Sequence, residues 1–192
     1  MTDDYKLVQR IAEGDRKAFL SLYDRYAAKV HGLSLRMLRD PHSAEEVTQD
    51  AFMRLWTRAE TYRANQGSLL GWLLTITRRL AIDRMRQESR RIQPSLSIDE
   101  DWLKIPDPGS ETEESRWRSL FFALRDLPIQ QRLTIELAYY QGLSQTQIAE
   151  AMGVPLGTVK TRTRLGMEKL RQAMRENAYQ SDRSEIGERG VG

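Results

Sequence analysis

The sequence predicts an all-α protein, two small helical domains joined by a flexible linker, and three observations carry that expectation. Apolar residues recur at spacings of three and four through most of the chain, the period of a helix with one buried face. Asp15, Asp40, Ser68 and Ser144 each precede such a run, where a side-chain oxygen can accept a backbone N–H left over by the first helical turn. Charge is also segregated: residues 1–91 carry a net +5, residues 92–114 a net −6, residues 115–175 a net +6 and residues 176–192 a net −2.

At 192 residues the chain has room for one ordinary domain or two small ones. Its formal net charge of +3 therefore conceals two basic bodies split by an acidic connector. A bipartite polyanion-binding protein is charged this way, because phosphate neutralisation supplies most non-specific nucleic-acid affinity. There is no cysteine, hence no disulfide or thiolate metal site, and the two histidines, His31 and His42, lack a matching ligand cluster. No metal or cofactor is expected. No apolar run approaches the roughly 20 residues of a membrane-spanning helix. The N-terminal MTDDYKLVQR is too acidic and polar for a signal peptide, so the expected location is the cytoplasm, without membrane insertion.

Taken in order, Asp4 to Glu13 forms a short amphipathic helix with Leu7, Val8 and Ile11 as its stripe, broken by Gly14. Asp15 then caps a helix to about Leu38, whose stripe is Ala18, Phe19, Leu22, Tyr26, Val30, Leu33 and Met37. Asp40 and Pro41 restart the chain as cap and first helical residue of a third helix, which buries Ala44, Val47, Ala51, Phe52, Leu55 and Trp56. Its other side carries Glu45, Glu46, Gln49, Asp50 and Arg54, either a solvated face or a docking surface for a protein partner.

The stretch from Glu60 to Ser68 has turn chemistry, and its Tyr62, Asn65 and Gln66 are of the types that stack on and hydrogen-bond unpaired bases. Ser68 caps a fourth helix with Leu69, Trp72, Leu73, Ile76, Leu80 and Met85 inward. Its later turns hold Arg78, Arg79, Arg84, Arg86, Arg90 and Arg91, a cationic rail offset only by Asp83 and Glu88. Residues 92–112 read as an acidic, proline-containing linker with Trp102 and Leu103 as an anchor. A helix resumes around Glu113 with Trp117, Leu120, Phe121, Leu124 and Leu127. Pro128 opens the next, with Leu133, Ile135, Leu137 and Tyr140 as core candidates. After Arg175 the polar tail is expected to be disordered.

Between Gly142 and Met174 the pattern is a helix-turn-helix. Ser144 and Gln147 make a capping box, Ile148, Ala149 and Met152 share a face, Gly153 supplies a left-handed ending and Pro155 starts the second helix. With Val159 inward, Thr163, Gly166 and Leu170 follow it, while Gly157, Thr161, Arg164 and Leu165 point away and Thr158 and Lys160 flank them. That small, polar and basic face suits a DNA major groove.

With these segments in place the chain resembles an RNA polymerase sigma factor of the extracytoplasmic-function group, the minimal kind with regions two and four only. DPHSAEEVTQDAFMRLW (Asp40 to Trp56) is similar to region 2.2, GSLLGWLLTITRRLAIDRMR (Gly67 to Arg86) to regions 2.3 and 2.4, and Leu127 to Arg164 to region four. The resemblance implies residues 1–91 as region two, 92–112 as the linker and 113–175 as region four, followed by the tail at 176–192.

It also implies core polymerase as a partner, through the beta-prime clamp and the beta flap, with Glu45, Glu46, Gln49, Asp50, Phe52 and Arg54 as core-binding residues. Minus-ten DNA would be met by Tyr62, Arg63, Asn65, Gln66, Ser68, Arg78, Arg79, Asp83, Arg84 and Arg86. Minus-thirty-five DNA would be met by Thr158, Lys160, Thr161, Arg162, Arg164 and Leu165. An anti-sigma factor is the implied regulator, and the acidic linker would run toward the RNA exit path. Arg79 stands where many members have asparagine, and Thr163 where an aliphatic residue is common. Neither a phosphate-cradling glycine loop nor a nucleophile-and-base set is present, so no catalytic residue is assigned. A freestanding helix-turn-helix regulator and a nucleic-acid-processing enzyme are the alternatives; duplex binding or activity without polymerase would distinguish them.

Overall fold

The computed structural model describes residues 3–88, 120 and 122–188. The chain divides into two compact units, Met1–Pro106 and Asp107–Gly192, and the division falls within the expected linker. That linker, with Trp102 and Leu103, lies outside the described residues, as do Arg90, Arg91, Trp117 and Phe121.

In the first unit, α1 (Asp3–Ala12) lies on α2 (Arg16–Leu38), which packs with α3 (Pro41–Arg58) and α4 (Leu69–Glu88) in a three-way helical contact. Two short 3-10 turns, Ala59–Thr61 and Ala64–Gln66, connect α3 to α4. The caps follow the sequence. Asp15 accepts hydrogen bonds from the amides of Lys17 (2.8 Å) and Ala18 (3.2 Å), and Asp40 accepts from that of Ser43 (2.8 Å) with Pro41 in the first turn. The core is built from Leu22 and Val30 of α2, Ala51, Phe52 and Leu55 of α3, and Leu69, Leu73 and Ala81 of α4. Asp4 staples α1 to α2 by accepting from the Arg25 guanidinium and the Tyr26 hydroxyl.

The α4 stripe differs from the expected one. Leu69 and Leu73 are buried, but the rest of the buried face is Leu70, Leu74, Thr77, Ala81 and Ile82, while Trp72, Ile76, Leu80 and Met85 are half-buried. The run LLGWLLTI is apolar nearly all round, so its periodicity does not select one phase. Thr77 sits in the core at no cost in unpaired hydroxyls, because its Oγ1 donates to the Leu73 carbonyl at 2.8 Å.

In the second unit the backbone is helical at 122–125 and continues into α5 (Ile129–Tyr140), α6 (Gln145–Met152) and α7 (Leu156–Glu188). Leu137, Ile148 and Val159, one from each helix, form the core, with Leu133, Ala138, Leu143, Ala149, Met152 and Val154 packed around them. Thr134, not Leu133, Ile135 or Tyr140, accompanies Leu137 as a buried residue of α5, its hydroxyl satisfied by the Gln130 carbonyl at 2.7 Å. Helix α7 runs on through Glu188, where the sequence reading expects disorder after Arg175; residues 176–186 contain neither proline nor glycine to stop it. Among the described residues no helix is long and apolar enough to cross a membrane.

Candidate functional site

The helix-turn-helix is assembled by the signals that announce it. Ser144 Oγ accepts from the Gln147 amide at 3.3 Å while Gln147 Oε1 accepts from the Ser144 amide at 2.9 Å, a complete capping box. Gly153 ends α6 in the left-handed conformation, φ 63°, with its amide turned back to Ala149 and Glu150 carbonyls. Pro155 precedes the first turn of α7, and its carbonyl accepts from the Thr158 (2.9 Å) and Val159 (3.3 Å) amides.

On α7, Val159, Gly166 and Leu170 are buried, whereas Gly157, Lys160, Thr161 and Arg164 are exposed. Thr158, Arg162 and Leu165 are half-buried, so Leu165 lies at the edge of the outward face and not at its centre. Thr163 donates from Oγ1 to the Val159 carbonyl at 2.9 Å, a back-bond that satisfies its hydroxyl where an aliphatic side chain would only pack. Gly166 marks the close crossing of α7 over α5: a Cβ there would meet Ile135 Cδ1 at 2.7 Å. Arg164 pairs with Glu168 one turn on, at 2.8 Å, an exposed contact that costs little to exchange for a phosphate or a base.

The second basic surface belongs to the first unit. Between α3 and α4 the chain is tied down by Tyr62, whose ring is buried edge-on against Trp72 with centroids 6.0 Å apart and whose hydroxyl donates to the Gly67 carbonyl at 3.1 Å. Gly67 takes φ 144°, open to glycine and strained for other residues. Ser68 Oγ accepts from the Gly71 amide at 3.2 Å and so caps α4. Arg63, Asn65 and Gln66 remain exposed at the tip. Tyr62 is therefore a support of this loop and not a stacking platform, a correction that follows from burial of its ring. Along α4, Arg79, Asp83 and Arg86 are exposed, Arg78 and Arg84 half-buried. Arg84 forms an ion pair with Glu46 of α3 at 2.8 Å.

The acidic face of α3 exposes Glu45, Gln49, Asp50, Met53 and Arg54, with Met53 59% accessible. Beside it, α2 and α3 form an open cleft of about 390 Å³ whose walls include Tyr23, His31, Glu45 and Gln49. Phe52 is only 2% accessible. It packs against Phe19 and Tyr23 (ring centroids 6.2 and 4.7 Å), so it takes the place in the core that the α3 stripe predicts and lies beneath the face rather than on it. Two aspartates on this unit have carboxyls held below the usual range by hydrogen bonding: Asp15 by the Arg10 side chain and the Ala18 amide, and Asp40 by the backbone and side chain of Ser43. Sequence reasoning did not find the Glu46–Arg84 pair, because it joins residues far apart in the chain.

Comparison with known proteins gives matches across both units. The model of Sigma-70 region 2 matches residues 22–91, and that of Sigma-70, region 4 matches residues 123–172. The ECF RNA polymerase sigma factor SigK of Mycobacterium sp. (strain KMS) is 36% identical over 178 residues, which cover 90% of this chain and 91% of the relative. SigK of Mycobacterium tuberculosis (strain ATCC 25177 / H37Ra) is 34% identical over 173 residues, covering 88% and 91%. Among solved structures, Rhodobacter sphaeroides SigE in complex with the anti-sigma ChrR is similar at 30% identity, covering 89% of this chain and 97% of that one, with a TM-score of 0.47.

Proposed function

The chain belongs to the extracytoplasmic-function group of the sigma-70 family of RNA polymerase sigma factors, and we propose how its surfaces divide the work of that family. Glu45, Gln49, Asp50 and Arg54 on α3 dock core polymerase at the beta-prime clamp, and the second unit meets the beta flap. The loop tip at Arg63, Asn65 and Gln66, with Arg79 and Arg86 of α4, engages the minus-ten element as its strands part. Lys160, Thr161 and Arg164, flanked by Thr158 and Leu165, enter the minus-thirty-five major groove, where Lys and Arg reach guanine edges or phosphates and a small apolar group meets a thymine methyl.

The observation that carries this division is the presence, on separate units of one chain, of two exposed basic surfaces, each on a helix fixed from behind. The protein acts in the cytoplasm, performs no chemistry of its own, and is held inactive by an anti-sigma partner until released. Transcription by reconstituted core polymerase with and without the protein on genomic DNA tests the division. New starts are expected that share two elements, and they are expected to vanish when either basic surface is neutralised. Starts that survive neutralisation of Lys160 and Arg164 would refute the minus-thirty-five assignment. Recovery of only polymerase in pull-downs from unstressed cells would refute the anti-sigma partner.

A further inference from the structure

Arg84 stands apart from the arginines with which the sequence groups it. Thr75, Arg79, Asp83 and Arg86 form one exposed stripe along α4. At the helical step of about 100° per residue, Arg84 lies about 140° around from Arg79. Its guanidinium is directed at the first turns of α3: one nitrogen is 2.8 Å from Glu46 Oε2 and another 3.4 Å from Ser43 Oγ. Ser43 is buried, and its amide donates to the Asp40 cap. Glu46 also has His42 within 3.4 Å. One cation therefore spans two acceptors at the start of α3, a geometry that suits the fork of an arginine better than the point charge of a lysine.

We propose that Arg84 is a positioning residue that braces the second half of α4 against the start of α3, so that docking of α3 on polymerase fixes the DNA-facing stripe of α4, and that it does not itself contact phosphate. This rests on the division of surfaces proposed above for α3 and α4. Glu46 is accordingly the other half of the brace, although it stands in sequence among the docking carboxylates. The brace joins the two surfaces that a sigma factor must use in succession, core binding and strand opening.

The experiment uses holoenzyme with the full chain, a double-stranded promoter, and the variants Arg84→Met, Arg79→Ala and the charge swap Glu46→Arg with Arg84→Glu. Promoter affinity is measured across a salt series, and strand opening by the fluorescence of a base analogue in the minus-ten element. For Arg84→Met the slope of log affinity against log salt should match wild type, while opening slows roughly threefold to tenfold. The swap should restore opening, which neither single change does. For Arg79→Ala the slope should become shallower by about 0.9, one phosphate contact. That same loss of slope in Arg84→Met, with no rescue by the swap, overturns the brace. Should wild-type holoenzyme bind no promoter, the assignment of α4 to DNA fails instead; the brace is then decided by a double-mutant cycle on unfolding of the full chain, where coupling supports it and additivity overturns it. If Arg84→Met folds poorly by circular dichroism, the swap carries the same test.

Discussion

The two basic helices, α4 and α7, are held in place by different physics. Helix α7 is set by a dense run of contacts close in sequence, the capping box of α6, the left-handed Gly153, the carbonyl of Pro155, the Thr163 back-bond and the Arg164–Glu168 pair, over a small core where Val159 meets Leu137 and Ile148 and Gly166 crosses Ile135. Helix α4 has the Ser68 cap and the Tyr62–Trp72 rings nearby in sequence, but along its length it is set by contacts between distant residues: burial of Leu69, Leu73 and Ala81 among three helices, and the Arg84–Glu46 pair. A reading head built from local signals needs only a small core beneath it. One built from distant contacts depends on its whole unit.

The largest test of that difference is truncation of the small core. Ile148 is fully buried against Leu137 and Val159, and Ile148→Ala should cost about 2–5 kcal/mol, a large part of what so small a core supplies. Hydrogen exchange on the full chain should show protection lost through α5 to α7 and kept in α2 to α4, with polymerase binding retained. Equal loss in both units would break the comparison. Next in size is the reading surface itself. Lys160→Ala with Arg164→Ala should weaken minus-thirty-five recognition by about 1–3 kcal/mol per lost base contact while leaving the exchange pattern unchanged, since both side chains are exposed. A promoter panel transcribed as before would count against it.

The same contrast explains what the sequence made legible. The all-α class, the Asp15, Asp40 and Ser68 N-caps of the first unit, the capping box and the inward Val159–Gly166–Leu170 line were readable, because each is a statement about residues within a turn or two of one another. The phase of α4 was not, because an all-round apolar run is assigned its buried face only by its neighbours α2 and α3. Tyr62 was misplaced for a related reason, whereas for Phe52 the buried stripe of α3 was read correctly and only its added place among the core-binding residues was not. An aromatic residue in a functional stretch reads the same whether it faces solvent or supports the residues that do, and only packing against Trp72 or Tyr23 separates the two. The buried Thr77 and Thr134 were missed because a threonine is counted polar until its hydroxyl is seen donating to the carbonyl one turn back.

A smaller effect sharpens the account of the α3–α4 loop. Tyr62→Phe keeps the ring against Trp72 and removes the hydrogen bond to the Gly67 carbonyl, about 0.5–1.5 kcal/mol. Binding of holoenzyme to a single-stranded minus-ten oligonucleotide should fall by about that much, with binding to a duplex minus-thirty-five element unaffected. If the two fall together, the loop is not an independent support of the first surface.

The smallest expected effect separates the units by acid. Two of the three helices that bear the core of the first unit, α2 and α3, start at Asp15 and Asp40, whose carboxyls are held below the ordinary 3.8, Asp15 by the Arg10 side chain first and Asp40 by the Ser43 amide first. A group with a depressed folded pKa contributes stability that is fully present above its unfolded value and is lost as pH falls through the folded one. Neither cap is buried, so the loss is modest and local. Helix α6 starts instead at Ser144 with Gln147, neither of which titrates. Backbone amide spectra of the full chain, followed downward from pH 5, should therefore show the first turns of α2 and α3 loosening below pH 3.8 while the first turn of α6 is unchanged. Asp15→Asn keeps an acceptor at the cap and should flatten the response of α2 alone. Loosening of α6 in the same interval would mean that acid acts through the overall charge of the chain and not through the caps, because a rise in net positive charge reaches both basic units whereas cap protonation reaches only the first.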